Sequence, residues 1–410
     1  MANSVPGVLN GITVVDFTQY IAGPVATRLM GEMGAEVIKI ELAPNGDPTR
    51  AMPVLRNGRS AYFIQQNVGK QSVCLDLRKP EGLEIAKALV ARADVLVQNF
   101  SPGVMQRFGL GWETVHAINP KLVMCSISAF GQSGPLSDQP GFDYIGQAYA
   151  GVTSLIGERG EPPALTGVAA GDVGAGLSAV AAINGALIWA RGPDGHGQHI
   201  DVSLLDFYFH THSLAVELHS ASGGAVVTDR DGSHHGVIAP LGIFRAREGF
   251  LVIIPFPSMW PRVCEAIGRP DLEHDPRFCD NDSRMQNKAL LVEIIEHWLA
   301  EQPSDAAAIE RLQACRVPCA PVLTVPEAIH HPHLIERGTV RTVHDPQIGT
   351  FQIPGMAVKL SAHPEPVDRP APYLGEHNAS VLSRLIGYDA ARIDVLSDAG
   401  VLVAERLPER

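Results

Sequence analysis

The sequence predicts an α/β protein: a Rossmann-like large domain with a mainly parallel sheet, plus a smaller α+β domain. Three observations carry this reading. The first two hundred residues alternate short apolar runs with stretches of helical periodicity. The links between them are short, as repeated β-α-β units require. Between about residues 237 and 322 the pattern changes to two strands followed by charged amphipathic helices. A chain of 410 residues is also long for one average domain.

In order, residues 12–17 form a short apolar strand and residues 22–33 a helix that stops at Gly34. Strand 36–41 follows, then a Gly/Pro/Asn loop over 43–60 and strand 72–77. Pro80 opens a helix whose apolar set is Leu83, Ile85, Ala86, Leu89 and Val90. Strand 94–100, a helix to about 118 and strand 122–128 complete the alternation. Such apolar strands joined by helices belong to a parallel sheet covered on both faces. The uncharged run 173–190 reads as a helix packed on all sides, followed by strand 198–202 and a helix over 203–219. After a Gly-rich linker, strands at 241–247 and 250–255 and helices at 258–268, 285–302 and 304–315 build the small domain. The tail carries strands at 339–343, 350–353 and 358–360 and helices at 376–387 and 389–395, and reads as returning to the first domain. The expected division is therefore 1–220 with 330–410, and 221–329.

Composition narrows the partners. A net charge of -12 argues against a nucleic-acid coat or a bulk anionic surface, so an anionic ligand needs a local basic pocket. Six cysteines without a disulfide-framework spacing fit a reducing, cytoplasmic compartment. Residues 1–7 have neither a basic nor an apolar region, so no secretory signal is expected. The 18-residue uncharged run meets the length of a membrane span, but Gly174, Gly176, Ser178, Asn184 and Gly185 interrupt it. It reads as a buried core helix, and no membrane partner is expected.

Asp172 is the leading candidate for chemistry. It stands at the start of that helix in Gly171-Asp-Val-Gly-Ala-Gly176. One reading is a helix N-cap, satisfying orphan backbone N–H groups. The other is a nucleophile: the glycines leave room for a substrate, and the helix N-terminus favours the ionised form that attack requires. Both stay open at this point, and they are not exclusive. The G-x-x-G-x-G order and its position far from the first strand set a dinucleotide fingerprint aside. Cys315 and Cys319, with His330, His331 and His333, match no structural zinc spacing, and no metal is expected. Lys39, Lys70, Arg78 and Arg107 lie at strand ends and loop starts, where open α/β sheets bind ligands; each alone reads as a solvated surface charge.

The chain also resembles the class III CoA-transferases, the formyl-CoA:oxalate and carnitine CoA-transferase type, with α-methylacyl-CoA racemases as relatives. The matching segments run nearly end to end. They include Leu9–Thr18 with Ala22-Gly-Pro24, Gly34–Glu41, Gly46–Arg50, Lys70–Leu77, Asp94–Phe100 and Pro102–Arg107. They continue with Gly171-Asp172, Ala239-Pro240, Pro318–Val322 and Ala371–His377. The resemblance implies that Asp172 attacks an acyl-CoA thioester and carries CoA to a small carboxylic acid. No tightly bound cofactor is implied, with CoA itself a substrate. CoA contacts carry over to Gln19, Lys70, Leu75, Arg78, Asn99, Phe100 and Arg107. At Leu42 some relatives have an arginine for CoA, so that charge is missing here. Racemases place a histidine thirty residues before the aspartate, because proton exchange needs a second acid/base group. That position is Phe142 here, and the segment 254–258 lacks their glutamate. Transferase is favoured over the racemase or epimerase alternative, and Phe142 and His235 are expected to wall the acyl pocket. The resemblance further implies a ring-shaped subunit in an interlocked homodimer.

Overall fold

The computed structural model describes residues 7–363, 366 and 368–407; the stretch on which the absence of a secretory signal was argued lies, for residues 1–6, outside them. Contacts divide the chain into two compact units: 7–150 with 168–211 and 331–407, and 151–167 with 212–330.

In the first unit six strands form one sheet. They are β1 (Thr13–Asp16), β2 (Glu36–Leu42), β3 (Gln71–Leu75), β4 (Val95–Gln98), β5 (Val123–Ser128) and β6 (His199–Ser203). Their spatial order is β3-β2-β1-β4-β5-β6, and every neighbouring pair is parallel. This is the doubly wound order, whose direction of travel reverses between β1 and β4. Ligands of such sheets bind outside the carboxyl ends of the strands at that reversal.

The alternation of side chains along each strand builds two cores. Val14, Val37, Val95 and Val97 point to one face, beneath helices Ala22–Glu32 and Ala170–Ala190. Val15, Ile38, Val73 and Leu96 point to the other, beneath Pro80–Val90 and the tail helices Asn378–Ile386 and Ala390–Asp398. The tail does return to this unit. Asp76 N–H donates to Val401 O, His377 N–H to Ser72 O and Cys74 N–H to the Asn378 side chain, so the outer edge strand β3 is not left bare.

Two expectations about the long helix are corrected. It begins at Ala170, not Val173, and it is not packed on all sides. Val173, Leu177, Ile188 (78% exposed) and Trp189 (52%) lie on an open face, and half of its most apolar 18-residue window is buried. The glycines also act differently from the expectation. A Cβ on Gly171 would sit 2.2 Å from the Tyr208 ring, one on Gly174 1.9 Å from Phe207, and one on Gly176 2.7 Å from Ala22 O. They let neighbouring elements press against the helix rather than opening space for a substrate. Gly174→Ala is therefore expected to destabilise the fold by about 1–3 kcal/mol through overpacking, as read by urea unfolding.

The second unit has an antiparallel sheet of Gly242–Arg245, Phe250–Ile253 and Cys319–Pro321. Its core gathers Phe244, Leu251, Trp260, Leu291, Ile295 and Leu312 from the sheet and its helices. The strand at Cys319 escaped the sequence reading because it is three residues long and bounded by prolines. Residues 151–167 belong here too, for a reason invisible in local pattern. The Arg230 guanidinium donates to Glu158 O and Glu161 O, and Gly232 N–H donates to Gly157 O. The helix expected over 203–219 is two, Leu204–His210 and Ala215–Ala221, and the units part between them. Residues 358–360 form no strand; only Leu360 bridges to His363.

Candidate active site

A cavity of about 340 Å³ opens at the carboxyl ends of β1, β4 and β5, beside the reversal of the sheet. Gln19, Tyr62, Asn99, Phe100, Phe142 and Asp172 are among its lining residues. Two loops build its floor, and one side chain ties them together. Gln19 N–H donates to Asn99 Oδ1 at 2.8 Å, and Asn99 Nδ2 donates to Gln19 O at 2.7 Å. Asn99 thus uses both ends of its amide to clamp the loop after β1 to the loop after β4. The next residue, Tyr20, is held at φ 63°, a left-handed conformation uncommon for a non-glycine residue. Its ring stands edge-on to Phe142, 6.2 Å between centroids, and Phe142 is 68% exposed. Asn99→Ala is expected to lower kcat/KM by about 10- to 100-fold, mainly through KM, because both hydrogen bonds of the clamp go at once. Steady-state kinetics check this.

Asp172 is not the cap of its helix. It lies two residues past the first helical position, Ala170, and the N-cap residue, Ala169, supplies no side-chain hydrogen bond. The cap comes from elsewhere: Asp143 Oδ2 accepts from Asp172 N–H at 2.9 Å. The other Asp143 oxygen accepts from the Tyr208 hydroxyl at 2.6 Å, and Gln147 donates to that hydroxyl. The helix N-terminus does not hold the Asp172 carboxyl in its ordinary range. Burial, and after it the charge of Asp143, pushes it up to about 7. Tyr62 responds to the same surroundings: burial first, then Asp172 and Asp47, raise its phenol to about 12.

The other sequence candidates separate into three groups. Gln19, Asn99, Phe100 and Phe142 meet Asp172 around one cavity. Arg78 and Arg107 are exposed on the segments that follow β3 and β4, with Arg78 bound to Asp76 at 2.8 Å. The Leu75 side chain is fully buried in the core. Lys70 and Lys39 correct the expectation of solvated charges. Both ammonium groups are fully buried, Lys70 paired with Asp16 at 3.0 Å and Lys39 with Asp47 at 2.9 Å. Their charge is committed inside the fold and is not offered to a phosphate. His235 belongs to the second unit, half-buried, its Nδ1 accepting from Val237 N–H. Among the described residues no group of three or more His, Cys, Asp or Glu side chains is placed to hold a metal ion.

Sequence reasoning missed Tyr20, Tyr62, Asp143 and Tyr208. Tyr62 had a legible signal: Ser60 caps the helix Ala61–Asn67 by accepting from Phe63 N–H, a serine three residues before the bonded amide. Asp143 was adjacent to Phe142, the residue on which the comparison with racemases turned, yet its partner Asp172 is 29 residues away and its role exists only in the fold.

A cavity at the reversal of a doubly wound sheet is where proteins of this architecture bind small molecules, and here a carboxylate stands on its wall. The chain belongs to CoA-transferase family III, whose model matches residues 9–378. It is a transferase of sulfur-containing groups. The succinyl-CoA–D-citramalate CoA-transferase of Chloroflexus aurantiacus is 33% identical over 387 residues, covering 93% of this chain and 95% of that protein. The formyl-CoA:oxalate CoA-transferase of Streptomyces avermitilis is 34% identical over 411 residues, covering 96% and 99%. The crystal structure of a CAIB/BAIF family protein from Brucella suis superposes with a TM-score of 0.81 at 32% identity, covering 93% of this chain and all of that one.

Proposed function

We propose that this enzyme moves CoA from an acyl-CoA donor to a carboxylic acid through covalent intermediates on Asp172. The observation that carries the reading is Asp172 itself, a carboxylate drawn out of solvent at the wall of the switch-point cavity. An Asp172 oxygen attacks the thioester carbonyl, the C–S bond breaks, and CoA thiolate leaves behind a mixed anhydride. The thiolate then attacks the Asp172 carbonyl carbon, releasing the first acid as its carboxylate and forming an aspartyl-CoA thioester. The acceptor carboxylate attacks that thioester, and returning thiolate takes the new acyl group, freeing Asp172. Each step exchanges one bond for another with no net proton or electron transfer. The route draws only on Asp172 and the substrates' own thiol and carboxylate.

Gln19, Asn99 and Phe100 are proposed to contact CoA within the cavity, and the exposed Arg78 and Arg107 to meet its phosphates. Leu75 would contribute through its backbone. Phe142 would wall the acyl group. A cytoplasmic location and the interlocked, ring-shaped homodimer of the resembled family are proposed as well. The open apolar face of the helix Ala170–Ala190 supports the dimer, since a second copy would cover it. Helix length and composition alone would also suit a membrane, but its burial along the sheet favours a core helix.

The second reading is an acyl-CoA epimerase. An Asp172 carboxyl at about 7 suits an acid/base group as well as a nucleophile. Against it, Phe142 cannot move a proton. Incubation with succinyl-CoA or a 2-methyl-branched acyl-CoA and labelled free acids, in deuterated water, separates the two. Label entering CoA esters supports transfer; deuterium at Cα without acyl exchange would sink it.

A further inference from the structure

We propose that Asp143 is a positioning residue for transfer: its carboxylate pins the first turn of the Asp172 helix and places a like charge beside the attacking oxygen. The inference rests on Asp172 being the nucleophile. Asp143 is nearly buried and has both oxygens engaged, one by Asp172 N–H at 2.9 Å and one by the Tyr208 hydroxyl at 2.6 Å. Tyr208 is itself buried against Gly171, whose missing side chain lets the ring in. The Asp172 amide at the helix start is therefore satisfied by a side chain from outside the helix, and that side chain is itself held by Tyr208.

A neutral asparagine or serine would cap that amide about as well. A carboxylate at this place adds repulsion against Asp172, which an inert cap would avoid. The repulsion has a chemical use. Attack on the thioester turns the Asp172 carboxylate into a neutral anhydride, so the like-charge contact is relieved as the reaction proceeds. The same contact keeps the free carboxylate basic, and basic oxygens attack better. Burial and the Asp143 charge raising the Asp172 carboxyl to about 7 are in keeping with this arrangement.

The test is a four-protein cycle of full-length chains: wild type, Asp143→Asn, Asp172→Asn and the double variant. The titration of Asp172 is read from stability against pH, as the difference between each protein with Asp172 and its Asp172→Asn counterpart. The acid limb of kcat/KM is measured alongside. In Asp143→Asn both readouts are expected to move down by about one pH unit or more, with kcat reduced about 10-fold and KM little changed. A merely structural cap would alter stability without moving the acid limb. An Asp172 titration that stays in place in Asp143→Asn, with Asp172→Asn inactive, overturns the role of Asp143 alone. So does an ordinary carboxylate titration for Asp172 in the wild type, which needs no Asp143 variant to fold. Full transfer by Asp172→Asn overturns the nucleophile and this role together.

Discussion

Asp172→Asn is expected to lower kcat/KM for CoA exchange by about 10⁴-fold or more while making the folded chain more stable at pH 8. The amide keeps the shape of the side chain but has no anionic oxygen to attack a thioester. The stability gain follows from the raised carboxyl. Between the ordinary carboxylate range and about pH 7 the folded chain holds the Asp172 proton that the unfolded chain has released. Folding takes up a proton in that window, so wild-type stability falls as pH rises through it. Asparagine has no proton to lose. The variant and the wild type should match near pH 4, diverge through the window and differ by up to about 4 kcal/mol above pH 7. Wild-type transfer should follow the same ionisation from the other side, rising about tenfold per pH unit up to roughly 7 and then levelling. Urea unfolding and initial rates at matched pH check both halves. An inactive variant less stable at every pH would make Asp172 a structural residue, and an active one would end the nucleophile reading.

The architecture was legible because strands buried on both faces betray themselves locally. Residues 95–97 and 122–125 are apolar without alternation, and helices stop at signals such as Gly34. The site was legible only in part. Asp172, Gln19, Asn99 and Phe142 were found and do surround one cavity, but the reason for the glycines was not. A glycine says that something comes close, and only the fold says whether it is a ligand or a tyrosine ring. Lys39 and Lys70 failed for a related reason. A charge in or next to a short apolar strand reads as an edge residue reaching solvent, unless one knows that carboxylates 23 to 54 residues earlier or 8 later, at Asp16 and Asp47, wait for it inside.

That internal charge cluster carries the second large effect. Asp16→Ala is expected to cost about 3–5 kcal/mol of folding stability, because it strands the buried Lys70 ammonium and removes a charge that also supports Lys39. Asp16 binds Lys70 at 3.0 Å and also accepts from Thr18 N–H, the Thr18 hydroxyl and the Thr27 hydroxyl. Burial opposes its charge, but Lys70, Lys39 and those hydroxyls outweigh it and hold the carboxyl below its ordinary range. Lys39 pairs with Asp47 and donates to Thr18 O at 2.6 Å, so the cluster grips the backbone just before Gln19 and Tyr20. Burial opposes the Lys39 charge too, yet Asp47, Asp16 and Glu41 hold its ammonium above the ordinary value. Lys70 is the weak member: burial pulls it down to about 8 despite Asp16, with Lys39 adding to the pull. Without Asp16 it falls further, and the folded variant then sheds a proton that the unfolded chain keeps. Stability of the variant should rise with pH through the interval below 8 where wild-type Lys70 is still charged, narrowing the deficit by up to about 1.4 kcal/mol per pH unit. Urea unfolding from pH 6 to 8 reads this directly; a deficit independent of pH would mean that lost packing, not the stranded lysine, is the cause. Because Thr18 is part of the grip, residual folded enzyme should also show a raised KM, linking the stability of the buried cluster to the placement of Gln19 at the cavity wall.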